Sequence, residues 1–419
     1  MSRPTDDERG PGDRSALRRL LSIEPRAFAE DHWGRAPLLT RAADLPAPFT
    51  DLLSTDAVDE LVSERGVRTP FARMARNGAL TDRGQFTDSG GFGAEVTDQL
   101  DSAGILAAFA DGHTLVLQGL HRLWPPLIHF TGDLVADLGH PVQVNSYITP
   151  ASSRGFDPHY DVHDVFVLQI AGEKRWILHP PVHEHPLSNQ PWSDRRDAVA
   201  AMARTDPTLD VVLREGDSLY VPRGWIHSAE ALGDTSIHLT VGMSAFTRYD
   251  LLHHVLGTLA DDASFRAPLP VGLDLTDPDA VVPHVRALIA DLTATLADTD
   301  GRDGRARTAA ERVGRRFVEV TRPAPVRPLE TVRTMAGLSA ATVVTWRSGL
   351  AARVTQLPES VAVTTRTKTI TLPSIAADAV RQLHSGKDCA VGDLTGLDDQ
   401  DAIVVVRRLL REGLVVARS

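Results

Sequence analysis

The chain has 419 residues, 42% of them apolar and 24% charged, and a formal net charge of −11. That length exceeds one ordinary domain, the apolar share can fill sizeable cores, and the acidic balance argues against nonspecific nucleic-acid binding. The single cysteine, Cys389, excludes a disulfide framework and any cysteine-built zinc or iron–sulfur site, and it suits a reducing, cytoplasmic compartment.

Residues 1–14 (MSRPTDDERGPGDR) are charged and rich in Pro and Gly. They read as a disordered tail with no apolar stretch behind them to make a signal peptide. From Ser15 to about Thr40 the apolar residues Leu17, Leu20, Leu21, Phe28 and Trp33 recur at helical spacing. Glycines punctuate residues 80–95, which read as a loop. No continuous apolar run approaches the roughly 18 residues of a membrane span, so no membrane partner is expected.

Between Val142 and Phe246 the texture becomes β-rich. The segments VQVNSYIT, DVFVLQIAG, KRWILHPP, DSLYVP, WIHSAEAL and SIHLTVGMS alternate or run apolar between Gly, Pro and Asp. Many short strands at close spacing indicate a sandwich or barrel. Beyond Tyr249 the chain turns helical again, and an arginine-rich stretch ends in TRPAPVRP near residue 328, a domain junction. Residues 329–419 combine strand-like SVAVTTRTKTITL with two helical segments and a final LVVARS. This small α+β unit resembles a winged helix, and its low net charge favours a protein-interaction role over DNA binding.

Two segments carry chemistry. In GFDPHYDVHDVFVLQIAG, His159 and Asp161 stand two residues apart in what reads as a strand, so both side chains leave one face. With a third ligand they would cap one side of a metal ion and leave positions open, the two-histidine, one-carboxylate arrangement of non-haem iron sites. In EGDSLYVPRGWIHSAE, Gly216, Pro222, Gly224 and His227 shape a tight turn that delivers the third ligand, His227, onto the next strand. Three of the 44 basic residues are lysines, which draws attention to Lys174.

Together the two segments resemble the metal blocks of the cupin superfamily in the form used by JmjC-type oxygenases. More narrowly, with FAEDHWGRAPLL, RGVRTPFARM, TLVLQGLHRLWPPL and NSYITP, the chain resembles the cupin-like ribosomal oxygenases. The resemblance implies Fe(II), 2-oxoglutarate as cosubstrate and O2, and hydroxylation of an Arg or His side chain in a protein such as a ribosomal protein. It implies His159, Asp161 and His227 as iron ligands and Lys174 as the cation for the distal carboxylate of 2-oxoglutarate. Asn145 and Tyr147 would contact or position the cosubstrate, and His238 and Thr240 would line its pocket.

The fold class expected is α+β. A double-stranded β-helix (cupin or jelly-roll, JmjC-type) with N-terminal helices would span 15–248, a helical dimerisation region 249–328 and a winged-helix-like domain 329–419. A homodimer is implied by the resemblance. Three other readings stay open: a hydroxylase tailoring a peptide natural product or small molecule, a non-catalytic cupin-like binding module, and a cupin holding zinc or manganese.

Overall fold

The computed structural model describes residues 15–418 apart from Asn77 and residues 152–156; the tail expected at 1–14 lies outside the described residues. The chain divides into two units, Met1–Ala245 with Arg322–Ser419, and Phe246–Thr321.

Among the described residues, eleven strands precede the second unit: β1 (Leu38–Thr40), β2 (Ala72–Arg76), β3 (Ala79–Leu80), β4 (Thr87–Asp88), β5 (Gln99–Leu100), β6 (Thr114–Leu117), β7 (Val142–Thr149), β8 (Asp164–His179), β9 (Leu209–Leu213), β10 (Ser218–Val221) and β11 (Ile226–Met243). The main sheet runs β1-β10-β8-β11-β7-β6-β2-β3, and β9 adds to the far end of β8. Every pairing is antiparallel.

The alternation along β7 shows how the sheet divides its two faces. Val144, Ser146 and Ile148 are buried, with Val144 and Ile148 joining a core made with the helical layer of Leu17, Leu20, Phe28, Leu61, Leu127 and Leu134. Gln143, Asn145 and Tyr147 alternate with them and line a cleft on the other face. Each fully buried Leu or Phe contributes about 1.5–3 kcal/mol, so this layer fixes which face of the sheet the polar residues occupy.

Four expectations from the sequence are corrected. The stretch 15–40 is not one helical region: Pro25, Gly34 and Pro37 interrupt it, leaving helical pieces at Ser15–Arg18 and Pro25–His32 before β1. His159 and Asp161 do not lie in a strand. Pro158 cannot donate to a ladder, His159 makes an isolated bridge to His227, and β8 begins at Asp164. The segments expected as separate strands on either side of Gly172 form one strand, β8, and those around Gly233 form β11. Gly172, at φ +65°, accommodates the register shift of β11 between Leu232 and Ile237, and a Cβ there would stand 2.2 Å from the Thr235 carbonyl oxygen. Finally, helix Pro278–Ala297 is long and apolar enough, by length and composition, to cross a membrane. It contains Pro283, and an exposed helix awaiting a protein partner can share its composition.

The second unit is helical. Its helix Arg248–Thr258 opens with a capping box between Thr247 and Asp250, and helices Pro278–Ala297 and Thr299–Val320 follow. Residues 322–418 build their own core around Val344, Val363, Val380, Leu383, Val406 and Leu409. Its strands are β12 (Val343–Trp346), β13 (Ala352–Gln356), β14 (Ser360–Thr365), β15 (Thr369–Pro373), β16 (Cys389–Ala390) and β17 (Val415–Ala417). They form two sheets, β16-β12-β17 and β13-β14-β15, beside helices Pro328–Ala336, Ala377–His384 and Asp399–Arg411.

Candidate metal centre

The two chemical segments are laced together through their backbones. His159 and His227 exchange both hydrogen bonds, the His159 N–H donating to the His227 carbonyl at 3.1 Å and the reverse at 2.8 Å. The Gly224 N–H donates to the Asp161 carbonyl at 3.0 Å, so the turn before His227 also holds the carboxylate segment. Gly224 has φ +87°, and a Cβ there would meet the His183 carbonyl oxygen at 2.8 Å. Behind the turn, the buried Asp164 accepts from the Tyr220 hydroxyl at 2.8 Å and from the Arg223 N–H at 3.3 Å.

This lacing brings ligand atoms of His159, Asp161 and His227 within 4.8 Å of one another. His227 Nε2 lies 3.8 Å from Asp161 Oδ2. The Nδ1 atoms of His159 and His227 meet the carbonyls of Asp157 at 2.7 Å and Trp225 at 3.0 Å. A carbonyl can only accept, so each Nδ1 carries the proton and each Nε2 presents its lone pair to the common centre. Burial, then the neighbouring His159, pushes the His227 imidazole down to about 4. Burial raises the Asp161 carboxyl, but His163, His227 and His159 together outweigh it and hold it below the usual carboxylate range. A neutral His227 imidazole beside an ionised Asp161 carboxylate suits the binding of a divalent cation.

Lys174 sits on β8 with Trp176 and Leu178 on the same side of the strand, and all three are buried. At 4% exposure, it is not a surface lysine. Its Nζ donates to Thr149 Oγ1 at 3.1 Å, and it has no carboxylate partner among the described residues. Burial alone pushes its ammonium down to about 7. A buried cation without a counter-ion is costly unless a ligand brings the anion.

Between the metal ligands and Lys174 stands Trp176, its ring 5.9 Å from that of His227 and 5.6 Å from that of His238. His238 stacks on Tyr147 at 5.1 Å. Burial, then the Lys174 ammonium, holds the His238 imidazole well below its ordinary value, and its buried Nδ1 has no hydrogen-bond partner.

The remaining expected residues fall on a second side of the centre. Asn145, Tyr147 and Thr240 line a cleft of about 360 Å³ that reaches Asp161, together with Arg73, Gln118, His121, Gln143 and His163. Asn145 and Thr240 are directly opposed on β7 and β11, as are Tyr147 and His238. The Asn145 carbonyl oxygen is engaged by the Gly119 N–H at 3.0 Å. Lys174 and His238 are not among the cleft's lining residues, so the set expected to hold the cosubstrate divides between the buried surroundings of Lys174 and the open cleft.

Trp176, Asp164, Gln118 and Arg73 were not singled out from sequence. For Trp176 a signal existed, since it shares the parity of Lys174 two positions on. Arg73 and Gln118 reach the cleft only through the register of β2 and β6, which no local pattern carries.

Two imidazoles and one carboxylate are grouped at the end of a long-stranded β-scaffold, a set that could hold a metal ion, and residues 129–251 match the JmjC domain model. The chain thus carries a JmjC domain of cupin fold. It is 30% identical to ribosomal oxygenase 1 of Gallus gallus over 262 residues, 59% of this chain and 40% of that protein. It is 26% identical to the bifunctional lysine-specific demethylase and histidyl-hydroxylase NO66 of Drosophila persimilis over 369 residues, 78% of this chain and 47% of that protein. The chain therefore spans less than half the length of these two relatives. In fold it is similar to the ribosomal oxygenase YcfD of Escherichia coli, with a TM-score of 0.50 and 17% identity, covering 95% of this chain and 99% of that one.

Proposed function

We propose that the protein is an Fe(II)- and 2-oxoglutarate-dependent oxygenase that hydroxylates an amino-acid side chain in a protein, with ribosomal proteins the first substrates to try. The observation that carries this is the pairing of a His159–Asp161–His227 cluster with a buried lysine that lacks an anion. Zinc would accept the same three ligands, but a zinc site has no use for Lys174. The names of the relatives support the reading, and the Escherichia coli protein was solved with cobalt and succinic acid.

When bound, iron and 2-oxoglutarate supply the oxidising power for attack on a C–H bond, and the protein supplies binding and orientation. His159, Asp161 and His227 would hold the metal from one side. Lys174 and Thr149 would receive the distal carboxylate, the lysine by a charge-assisted bond. Buried His238 and Trp176 would keep water from the cosubstrate, and Asn145, Tyr147 and Thr240 face whatever enters the cleft. Of the two target side chains expected from sequence, histidine is the one supported by the name of a relative, and arginine finds no counter-ion in the cleft beyond Asp161.

The helical unit exposes Leu251, Leu252, Leu256, Val285, Leu288 and Ile289, an apolar surface that suits a homodimer. The C-terminal module, with its three helices and two three-stranded sheets, is read as winged-helix-like and as a protein-interaction element, and the chain as cytoplasmic. Incubation of the iron-loaded chain with ribosomal proteins and 2-oxoglutarate, read by mass spectrometry, tests the substrate assignment. A gain of one oxygen on one protein, absent with His159→Ala, is expected. Succinate release without any modified ribosomal protein would favour the peptide or small-molecule reading.

A further inference from the structure

The cleft beside Asp161 holds a charge that the assignments above leave unused. Arg73 lies on β2, and the strand register carries its row across Val116 to Tyr147 and on to His238. Directly opposed residues of antiparallel strands share a face, so Arg73 belongs to the same cavity wall as Tyr147. Its Nε is buried without a hydrogen-bond partner, and no ion pair engages its guanidinium among the described residues. The guanidinium does hydrogen-bond the Tyr147 hydroxyl, a neutral partner that leaves its charge without a carboxylate.

The rest of the lining is equally short of negative charge. Gln118, Gln143 and Asn145 bring amides, His121 and His163 bring imidazoles, and the one carboxylate lining the cleft is Asp161, which belongs to the metal cluster. Burial first, then the nearby Arg122, pushes the His121 imidazole down to about 4, so it stays neutral in the cleft wall. The chain as a whole is acidic, at −11. Asp161 apart, the cleft's lining thus lacks the negative charge that prevails over the chain.

We propose that Arg73 is a specificity-determining residue that receives a carboxylate of the substrate, so that the preferred peptide presents an acidic residue at the hydroxylated position or next to it. The proposal rests on the oxygenase reading and deepens it. Lys174 and Arg73 are two separate cations without carboxylate partners among the described residues, and two separate anions would meet them: the distal carboxylate of the cosubstrate at Lys174 and a substrate carboxylate in the cleft. A guanidinium offers a planar fork that binds a carboxylate through two parallel bonds. In a partly desolvated cleft, the incoming carboxylate relieves the cost of leaving that fork unpaired. A lysine or arginine in the same place would meet Arg73 with no counter-ion of its own.

The test uses the full chain loaded with Mn(II) and 2-oxoglutarate under anaerobic conditions. Peptides of equal length and equal flanks carry a central glutamate, a central histidine with glutamate beside it, or the same two designs with glutamine or lysine in place of glutamate. Calorimetry is expected to show a glutamate peptide binding about tenfold tighter, or more, than its glutamine counterpart, and weakest binding for lysine. The two glutamate arms tell the target position from its neighbour. Arg73→Gln should erase the difference, and Arg73→Lys, which keeps the charge, should retain part of it and guards against a folding defect. Equal binding or no binding across the panel, or a preference that survives Arg73→Gln, overturns the proposal. So does loss of 2-oxoglutarate binding in Arg73→Gln, which would assign the guanidinium to the cosubstrate. Failure of the oxygenase reading is distinct: the wild-type chain would then not bind 2-oxoglutarate before any peptide is added.

Discussion

Lys174 donates to the Thr149 hydroxyl at 3.1 Å from a position only 4% exposed to solvent, and no carboxylate among the described residues answers its charge. The fall of its ammonium from 10.5 to about 7 corresponds to roughly 5 kcal/mol of penalty on the charged form. An anion that enters this pocket restores the charge, so binding and proton uptake are linked. Expected is a 2-oxoglutarate affinity that is flat below about pH 7 and weakens up to about tenfold per pH unit above it, because the free protein must then take up a proton. Calorimetry in two buffers of different ionisation enthalpy reads that proton directly. Lys174→Ala should lose about 2–5 kcal/mol of cosubstrate affinity and its pH dependence with it.

The same lone charge weakens the fold. Between about pH 7 and 10.5 the unfolded chain holds a proton on Lys174 that the folded chain releases, so this group's contribution to stability rises with pH across that window and is least favourable below it. Lys174→Met should therefore raise stability by about 1–4 kcal/mol at neutral pH while weakening cosubstrate binding as Lys174→Ala does. Denaturant melts beside a 2-oxoglutarate titration check both halves. A destabilised Lys174→Met protein would mean that the lysine is already compensated.

Trp176 joins the metal side to the buried surroundings of Lys174, 5.9 Å from the His227 ring and 5.6 Å from that of His238. Trp176→Ala should cost about 3–5 kcal/mol of stability through the cavity it leaves. It should also weaken metal binding, since one wall of His227 goes with it. Trp176→Phe should keep most of both. Mn(II) titration followed by electron paramagnetic resonance, with thermal melts on the same samples, separates the two effects.

Gly224 supplies the turn before His227 with a left-handed residue that L side chains rarely adopt. Gly224→Ala should cost about 1–3 kcal/mol of strain. Its backbone bond to Asp161 moves with it, so metal affinity should fall more than for an alanine at an exposed loop position. Near wild-type metal binding in Gly224→Ala would show that the turn does not set the ligand geometry.

Much of the scaffold was legible because its physics is local. The alternation of Val144, Ser146 and Ile148 with Asn145 and Tyr147 can be read from eight consecutive residues, and it places the polar pair opposite the core. The two metal segments could be read for the same reason, since a short spacing and a glycine–proline turn fix each one. The length of β8 was hidden because Gly172 reads as a breaker, whereas its positive φ holds an irregularity inside a continuous strand. Pro158 hid the opposite error: the run around His159 looks extended but pairs only through the single His159–His227 bridge. Arg73 was out of reach altogether, because its place beside Tyr147 depends on pairing across β2, β6 and β7.

The most direct measurement is succinate formation from 2-oxoglutarate by the anaerobically purified chain, reconstituted with Fe(II) and then exposed to air, beside His159→Ala and Lys174→Ala. Expected is slow turnover without substrate in the wild type, none in His159→Ala, and a much higher 2-oxoglutarate requirement in Lys174→Ala. Turnover that persists in His159→Ala, or a wild-type chain that neither binds nor consumes 2-oxoglutarate, would contradict the assignment of the His159–Asp161–His227 cluster and Lys174 to one oxygenase site.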